Sequence, residues 1–139
     1  MYKFRMTIGD RFNDGHGLYE DFIIESNVPA RTVRKAHFSM EDRLGFRIEN
    51  ICSDYEDNTI DSETTKAIEK LGYEFEEFDD DNKAYMCPEE MIRLWIFLLQ
   101  KIDTSLELKI VEDEIPHFDS CEPGEEGGYI GQVGYGLFW

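Results

Sequence analysis

The chain has 139 residues, with 14 Lys and Arg against 31 Asp and Glu, and a formal net charge of -17. Its length fits one domain spanning residues 1–139, and its 41% hydrophobic and 14% aromatic residues suit a packed core and exclude a disordered acidic tail. The sequence has neither a run of roughly 20 apolar residues nor the apolar segment of a signal peptide. We therefore expect a cytoplasmic protein that does not bind membranes.

Two strands are predicted at the start of the chain. Apolar and polar residues alternate over Tyr2–Ile8, and Tyr19–Glu25 has an apolar centre, as half-buried strands require. The segment between them, Asp10–Gly17, is rich in Gly, Asp and Asn, which favour turns. This pattern predicts an antiparallel pair of strands joined by a loop.

A helix is predicted next, from about Pro29 to Leu44. Ser26 or Asn27 is expected to cap it, because a polar side chain there can accept a free backbone N–H of the first turn. Gly45 should end it, since glycine adopts the left-handed conformation that follows many helices. The spacing predicts that one face of this helix is buried. That face carries Val33, Ala36, His37, Met40 and Leu44.

The middle of the chain predicts smaller elements. Phe46–Cys52 alternates as a strand does, and Ser62 can cap a short helix over Glu63–Leu71, with Ala67, Ile68 and Leu71 facing inward. Two short apolar segments, Tyr73–Phe78 and Lys83–Met86, flank a turn of three aspartates and an asparagine. This arrangement predicts a small hairpin with an acidic tip.

The last third of the chain completes an α+β pattern. Pro88–Ile102 is apolar on nearly all sides, which predicts a central core helix or one that also meets another chain. Ser105–Val111 alternates as a strand, Glu112–Gly128 is an acidic loop, and the glycine-rich and aromatic Tyr129–Trp139 is expected to dock in the sheet. We therefore predict a single α+β domain, an antiparallel sheet with about three helices packed on one face.

The negative charge lies in the second part of the chain. Residues 1–47 contain eight basic and seven acidic residues, whereas residues 48–139 contain six basic and 24 acidic ones. The acidic residues concentrate in Asp54–Asp81 and Glu112–Glu126. Runs of this kind either keep a protein soluble or attract a cationic partner. They argue against direct binding of nucleic acid, which requires clustered Lys and Arg.

The first functional hypothesis is a non-enzymatic interaction protein that occludes a basic protein surface, as an inhibitor, an immunity protein or a nucleic-acid mimic does. Its acidic side chains would pair with Arg and Lys of the partner, and aromatic side chains would fix the register. The predicted partner-binding residues are Glu74, Glu76, Glu77, Asp79, Asp80, Asp81, Glu112, Asp113 and Glu114. The predicted aromatic contacts are Tyr55, Tyr73 and Phe78.

The alternative hypothesis is a small enzyme, or a domain that binds a metal or a small molecule, built on the Asp10–Gly17 loop. Asp10, Asp14 and His16 lie close together there, and an Asp–His pair can act as a general base or as half of a metal site. The same residues also form ordinary turns. The sequence contains no phosphate-binding glycine loop, nucleophile elbow or HExxH motif, so no cofactor is predicted.

The cysteines and the other histidines predict no metal site. Cys52, Cys87 and Cys121 form no CxxC pair, and an odd number of cysteines indicates reduced thiols rather than disulfides. His117, Asp119 and Cys121 alternate and could in principle bind zinc, but their spacing matches no zinc-finger pattern. Neither acidic run has the glycine that an EF-hand loop requires.

Both ends of the chain contain sequence features that are similar to those of a known protein family. The segment Gly9-Asp10 to Gly17 reads GD-x3-DGHG, and the C-terminus alternates glycine with aromatic residues. In these features the chain resembles a family of short acidic proteins of bacteria and their phages. The resemblance implies a bacterial or phage origin and brings no activity with it.

Overall fold

The computed structural model describes residues 2–9, 19–45, 60, 62–85, 88–112 and 129–133. Four strands and three helices lie within these ranges: β1 (Tyr2–Gly9), β2 (Tyr19–Ser26), α1 (Ala30–Leu44), α2 (Ser62–Lys70), α3 (Pro88–Ile102), β3 (Leu108–Val111) and β4 (Tyr129–Val133). The predicted strand Phe46–Cys52 and all three cysteines lie outside the described residues. Within the described part of the chain, no helix is long and apolar enough to cross a membrane.

The strands form one sheet in the order β3-β2-β1-β4. The predicted antiparallel pairing is confirmed for β1 with β2, where Tyr2 faces Ser26, and β3 adds to β2 in the same way. The fourth strand differs from the prediction, because β4 runs parallel to β1. Alternation of side chains is the same in both directions, so the sequence pattern could not distinguish them, and the long segment between β3 and β4 suffices for a crossover.

One hydrophobic core joins the sheet to the helices. Phe4 and Met6 of β1 and Ile24 of β2 are fully buried, and α1 and α3 make the main helix contacts with the sheet. The prediction that α3 is the central core helix is confirmed. Its buried side chains are Met91, Ile92, Leu94, Trp95, Leu98 and Leu99. The α+β fold class is confirmed by these elements.

The start of α1 differs from the expected cap. Pro29 occupies the N-cap position and forms no side-chain cap bond. Asn27 instead accepts the Glu107 N–H (2.9 Å) and donates to the Ser105 carbonyl (2.9 Å), which extends the β2–β3 pairing beyond the strands. The cap prediction was therefore wrong for both residues, since Asn27 makes a tertiary contact and the Ser26 hydroxyl accepts the Val28 N–H (3.1 Å) before the helix begins. Gly45 ends the helix as predicted, with φ of 77°.

The buried side of helix α2 differs from the predicted one at one position. Ile68 is buried and Leu71 is half-buried, as expected, but Ala67 is exposed and Thr65 takes the inward position. Residues 65 and 68 are three apart and lie on the same side of a helix, whereas residue 67 is rotated away from them. In a helix of nine residues, the few apolar side chains left this face ambiguous in the sequence.

Candidate functional site

The acidic hairpin, residues 73–85, precedes α3. Phe78 pairs with Ala84 in an antiparallel bridge, and the Tyr85 N–H donates to the Glu77 carbonyl (3.0 Å). Asn82 has φ of 61°, a left-handed conformation that asparagine tolerates better than most residues. The predicted hairpin is therefore confirmed, but its strand pairing is limited to one bridge.

The side chain of Asp79 folds the hairpin tip. Its carboxylate accepts the backbone N–H groups of Asp81 (2.9 Å) and Lys83 (2.8 Å). This contact satisfies two backbone donors that the short strand pairing leaves free. Asp79 thus stabilises the hairpin tip, in addition to its predicted role in partner binding.

Most of the predicted acidic binding residues point into solvent. Segment 74–82 contains six acidic residues and no basic one, so the negative charge on the hairpin is dense. The exposed members are Glu74, Glu76, Glu77, Asp80 and Asp81. Glu112 is also exposed, but it follows the edge strand β3 rather than the hairpin. Asp113, Glu114, Asp10, Asp14 and His16 lie outside the described residues.

Aromatic rings run from the core to the hairpin surface. The rings of Tyr73 and Phe75 lie 4.9 Å apart, and those of Phe75 and Phe78 lie 6.2 Å apart. Tyr73 and Phe75 are buried, whereas Phe78 and Tyr85 are 43% and 42% exposed. Of the predicted aromatic contacts, Phe78 is therefore exposed and Tyr73 is buried, and Tyr85 is a further exposed ring beside Phe78 in sequence segment 73–85. Tyr55 lies outside the described residues.

A polar cluster that the sequence analysis missed connects the hairpin to α3. We call Tyr73, Glu76, Glu90 and Arg93 the Arg93 cluster. The Arg93 guanidinium donates to Glu76 of the hairpin (2.8 Å) and to Glu90 one turn earlier on α3. The Arg93 and Glu76 side chains are 44% and 69% exposed, whereas that of Glu90 is 7% exposed. The cluster therefore has an open side and a buried side.

The buried side of the Arg93 cluster contains two polar atoms without hydrogen bonds. Neither the Tyr73 hydroxyl nor the Glu90 Oε1 forms a hydrogen bond of ordinary geometry with the described residues, although the Tyr73 hydroxyl lies close to both Arg93 and Glu90. Burial is the main cause that raises the pKa of Tyr73 to about 12, and Arg93 and Glu90 are close enough to influence that pKa. The contact with Glu76 is the main cause that raises the pKa of Arg93 above its ordinary value.

A second polar cluster lies between α1 and α3. We call His37, Glu41 and Trp95 the His37 cluster. The Trp95 indole N–H donates to His37 Nδ1 (3.0 Å), and His37 Nε2 lies 3.4 Å from a Glu41 carboxylate oxygen. All three side chains are buried. The prediction that His37 is a core histidine on the apolar face of α1 is confirmed.

An open groove of about 220 Å³ lies at the edge of the sheet, beside β3. Its polar groups already pair with each other, because the Leu108 N–H donates to Gln100 (2.9 Å) and Lys109 lies 3.3 Å from Glu25. In the described ranges, no three His, Cys, Asp or Glu side chains are grouped as metal ligands. The Arg93 cluster and the acidic hairpin are therefore the better candidate site.

Comparison with protein families, curated proteins and solved structures found no match to this chain. The candidate site therefore depends on its own geometry. One signal in the sequence could have indicated part of it, because Glu90 and Arg93 are three residues apart in a predicted helix. The contact of Arg93 with Glu76, in contrast, depends on how the hairpin packs.

Proposed function

We propose that this protein is a small acidic interaction protein that binds and occludes a basic surface on another protein. One observation carries the proposal. The carboxylates of Glu74, Glu77, Asp80 and Asp81 are exposed on one hairpin, and they form no hydrogen bond or ion pair with the described residues. Carboxylates that stabilise a fold are paired within it, so unpaired ones on a folded hairpin are available to a partner.

The surface of the hairpin is aromatic as well as acidic. Phe78 and Tyr85 expose aromatic rings next to the acidic side chains, and aromatic residues are enriched where proteins bind each other. Asp79 holds the tip, and Arg93 connects the hairpin to the core helix α3. A hairpin anchored in this way loses little conformational entropy when it binds.

The mechanism we infer is electrostatic attraction followed by occlusion. The net charge of -17 draws a basic partner over a long range, which accelerates association and makes it depend on salt. The aromatic rings then fix the register at short range. An inhibitor, an immunity protein or a nucleic-acid mimic would all act in this way.

Binding of a fluorescent hexalysine peptide tests this proposal. We expect the wild-type protein to bind the peptide at low salt and to lose most of its affinity at roughly 0.5 M salt, because exposed charges are then screened. The triple variant Glu77→Gln, Asp80→Asn, Asp81→Asn should bind roughly tenfold more weakly at low salt.

A matched variant controls for net charge. Asp42→Asn, Glu63→Gln and Glu69→Gln remove the same number of exposed charges from α1 and α2. These changes should reduce the affinity much less than the hairpin changes do. Equal losses in the two triple variants, or binding that does not respond to salt, would contradict a recognition role for the hairpin.

A further inference from the structure

The Arg93 cluster has two carboxylates for one guanidinium, and one carboxylate oxygen makes no contact with a hydrogen-bond donor. Glu76 and Glu90 contribute two carboxylates, and among the described residues Arg93 contributes the only guanidinium that pairs with them. The Glu90 Oε1 is buried without a donor, although a carboxylate oxygen in the interior is costly when it is left unpaired. The excess of negative charge and the unpaired oxygen therefore occur at the same place.

We propose that Glu90 and Tyr73 form a receptor for one arginine side chain of the basic partner, at the base of the acidic hairpin. This inference rests on the proposed function and names the group that the site recognises. The partner guanidinium donates one N–H to the Glu90 Oε1 and another to the Tyr73 oxygen. Both atoms are the unpaired ones in side chains that are more than nine-tenths buried.

Two features favour a guanidinium over an ammonium group. The receptor offers two separate oxygen acceptors, which the planar, forked guanidinium can bind together. A guanidinium is also more weakly hydrated than an ammonium group, so it enters a half-buried site at a lower desolvation cost.

The receptor can open by movement of side chains. Arg93 and Glu76 are the solvent-facing members of the Arg93 cluster, and their side chains are 44% and 69% exposed. Long exposed side chains change rotamer within nanoseconds. When a partner arginine approaches, Arg93 can leave Glu76 and Glu90 and turn into solvent, while the incoming guanidinium takes the position beside Glu90.

A comparison of hexaarginine and hexalysine peptides tests the inference. We expect the wild-type protein to bind hexaarginine roughly tenfold more tightly, because the forked and weakly hydrated guanidinium suits two separate acceptors better than the compact ammonium group does. Glu90→Gln and Tyr73→Phe should each remove most of this preference. Glu89→Gln removes a charge from an exposed neighbour on the same turn of α3 and should preserve it.

The melting temperature of Tyr73→Phe gives a second measurement. An unchanged or higher melting temperature supports a free hydroxyl in the unbound protein. A decrease of several degrees together with no arginine preference would mean that Tyr73 and Glu90 bond only to each other, and it would overturn the receptor. If both peptides bind equally through the hairpin and Glu90→Gln has no effect, the receptor is also overturned, while the proposed function stands. Absence of binding to either peptide would reject both.

Discussion

Two polar clusters lie beside the same helix, α3, and they differ in their exposure to water. The His37 cluster is closed between α1 and α3, where all its side chains are buried. The Arg93 cluster, between α3 and the hairpin, has a buried carboxylate on one side and two largely exposed side chains on the other. Each cluster joins a glutamate to a basic side chain three or four residues away on one helix.

Burial, rather than residue type, distinguishes the two clusters. A closed cluster can contribute to stability through packing and desolvated hydrogen bonds, but no partner can reach it. An open cluster contributes little stability through its exposed pair, because water and salt screen the charges. Its groups are instead free to exchange partners. We therefore expect mutations in the His37 cluster to affect folding and mutations in the Arg93 cluster to affect binding.

Replacing Trp95 should reduce stability the most, because the change disrupts the closed His37 cluster. Trp95→Ala removes the largest fully buried side chain among the described residues and the hydrogen bond to His37, so it should lower the free energy of unfolding by about 3–5 kcal/mol. Urea unfolding measures the change, with Ile96→Ala, a half-buried neighbour on the same helix, as the control. A cost below about 1 kcal/mol would show that the cluster is not part of the core.

The second largest effect should be a dependence of stability on pH, which reports on the buried side of the Arg93 cluster and not on its open side. The pKa of Tyr73 is raised from 10.0 to about 12, so the folded state favours the neutral phenol. This contribution is complete below about pH 10 and is lost as the pH rises to about 12. It amounts to about 1–2 kcal/mol once solvent screening is allowed for.

Tyr73→Phe removes this pH dependence. Between about pH 9 and pH 12, the stability of the wild-type protein should therefore decrease relative to that of the variant. Urea unfolding at several pH values measures the difference. Tyr85→Phe is the matched control, because it removes an exposed phenol from the same hairpin. Parallel pH profiles for wild type and Tyr73→Phe would show that the Tyr73 hydroxyl is not held in a buried environment.

The two clusters also differ in how far the sequence could predict them. The position of His37 on the apolar face of α1 follows from helical spacing, and the extent of α3 matches the prediction residue for residue. The Arg93–Glu76 contact spans 17 residues and depends on the packing of an irregular segment onto a helix. Packing also decides where Tyr73 lies, because an aromatic side chain suits a core and an interface equally well. The direction of β4 likewise could not be predicted from its sequence pattern.

Replacing Asp79 should have a smaller effect on stability, and it tests whether the Asp79 side chain stabilises the hairpin tip. Asp79→Ala leaves the Asp81 and Lys83 N–H groups without their acceptor, which should cost about 1 kcal/mol. Asp80→Ala, at an exposed neighbouring position, should change stability by less than about 0.5 kcal/mol. Equal effects of the two variants in thermal unfolding would contradict the role of Asp79 in the turn.

The smallest expected effect concerns the open side of the Arg93 cluster. Glu76→Gln breaks an ion pair whose side chains are both exposed, so it should cost about 0.5 kcal/mol or less at low salt and nothing measurable at about 1 M salt. Glu74→Gln, an exposed neighbour without such a pair, serves as the control in urea unfolding. A cost above about 1.5 kcal/mol that persists at high salt would mean that Arg93 cannot leave its place. The contrast between a closed and an open cluster would then fail, because an Arg93 locked by Glu76 could not make room for another cation.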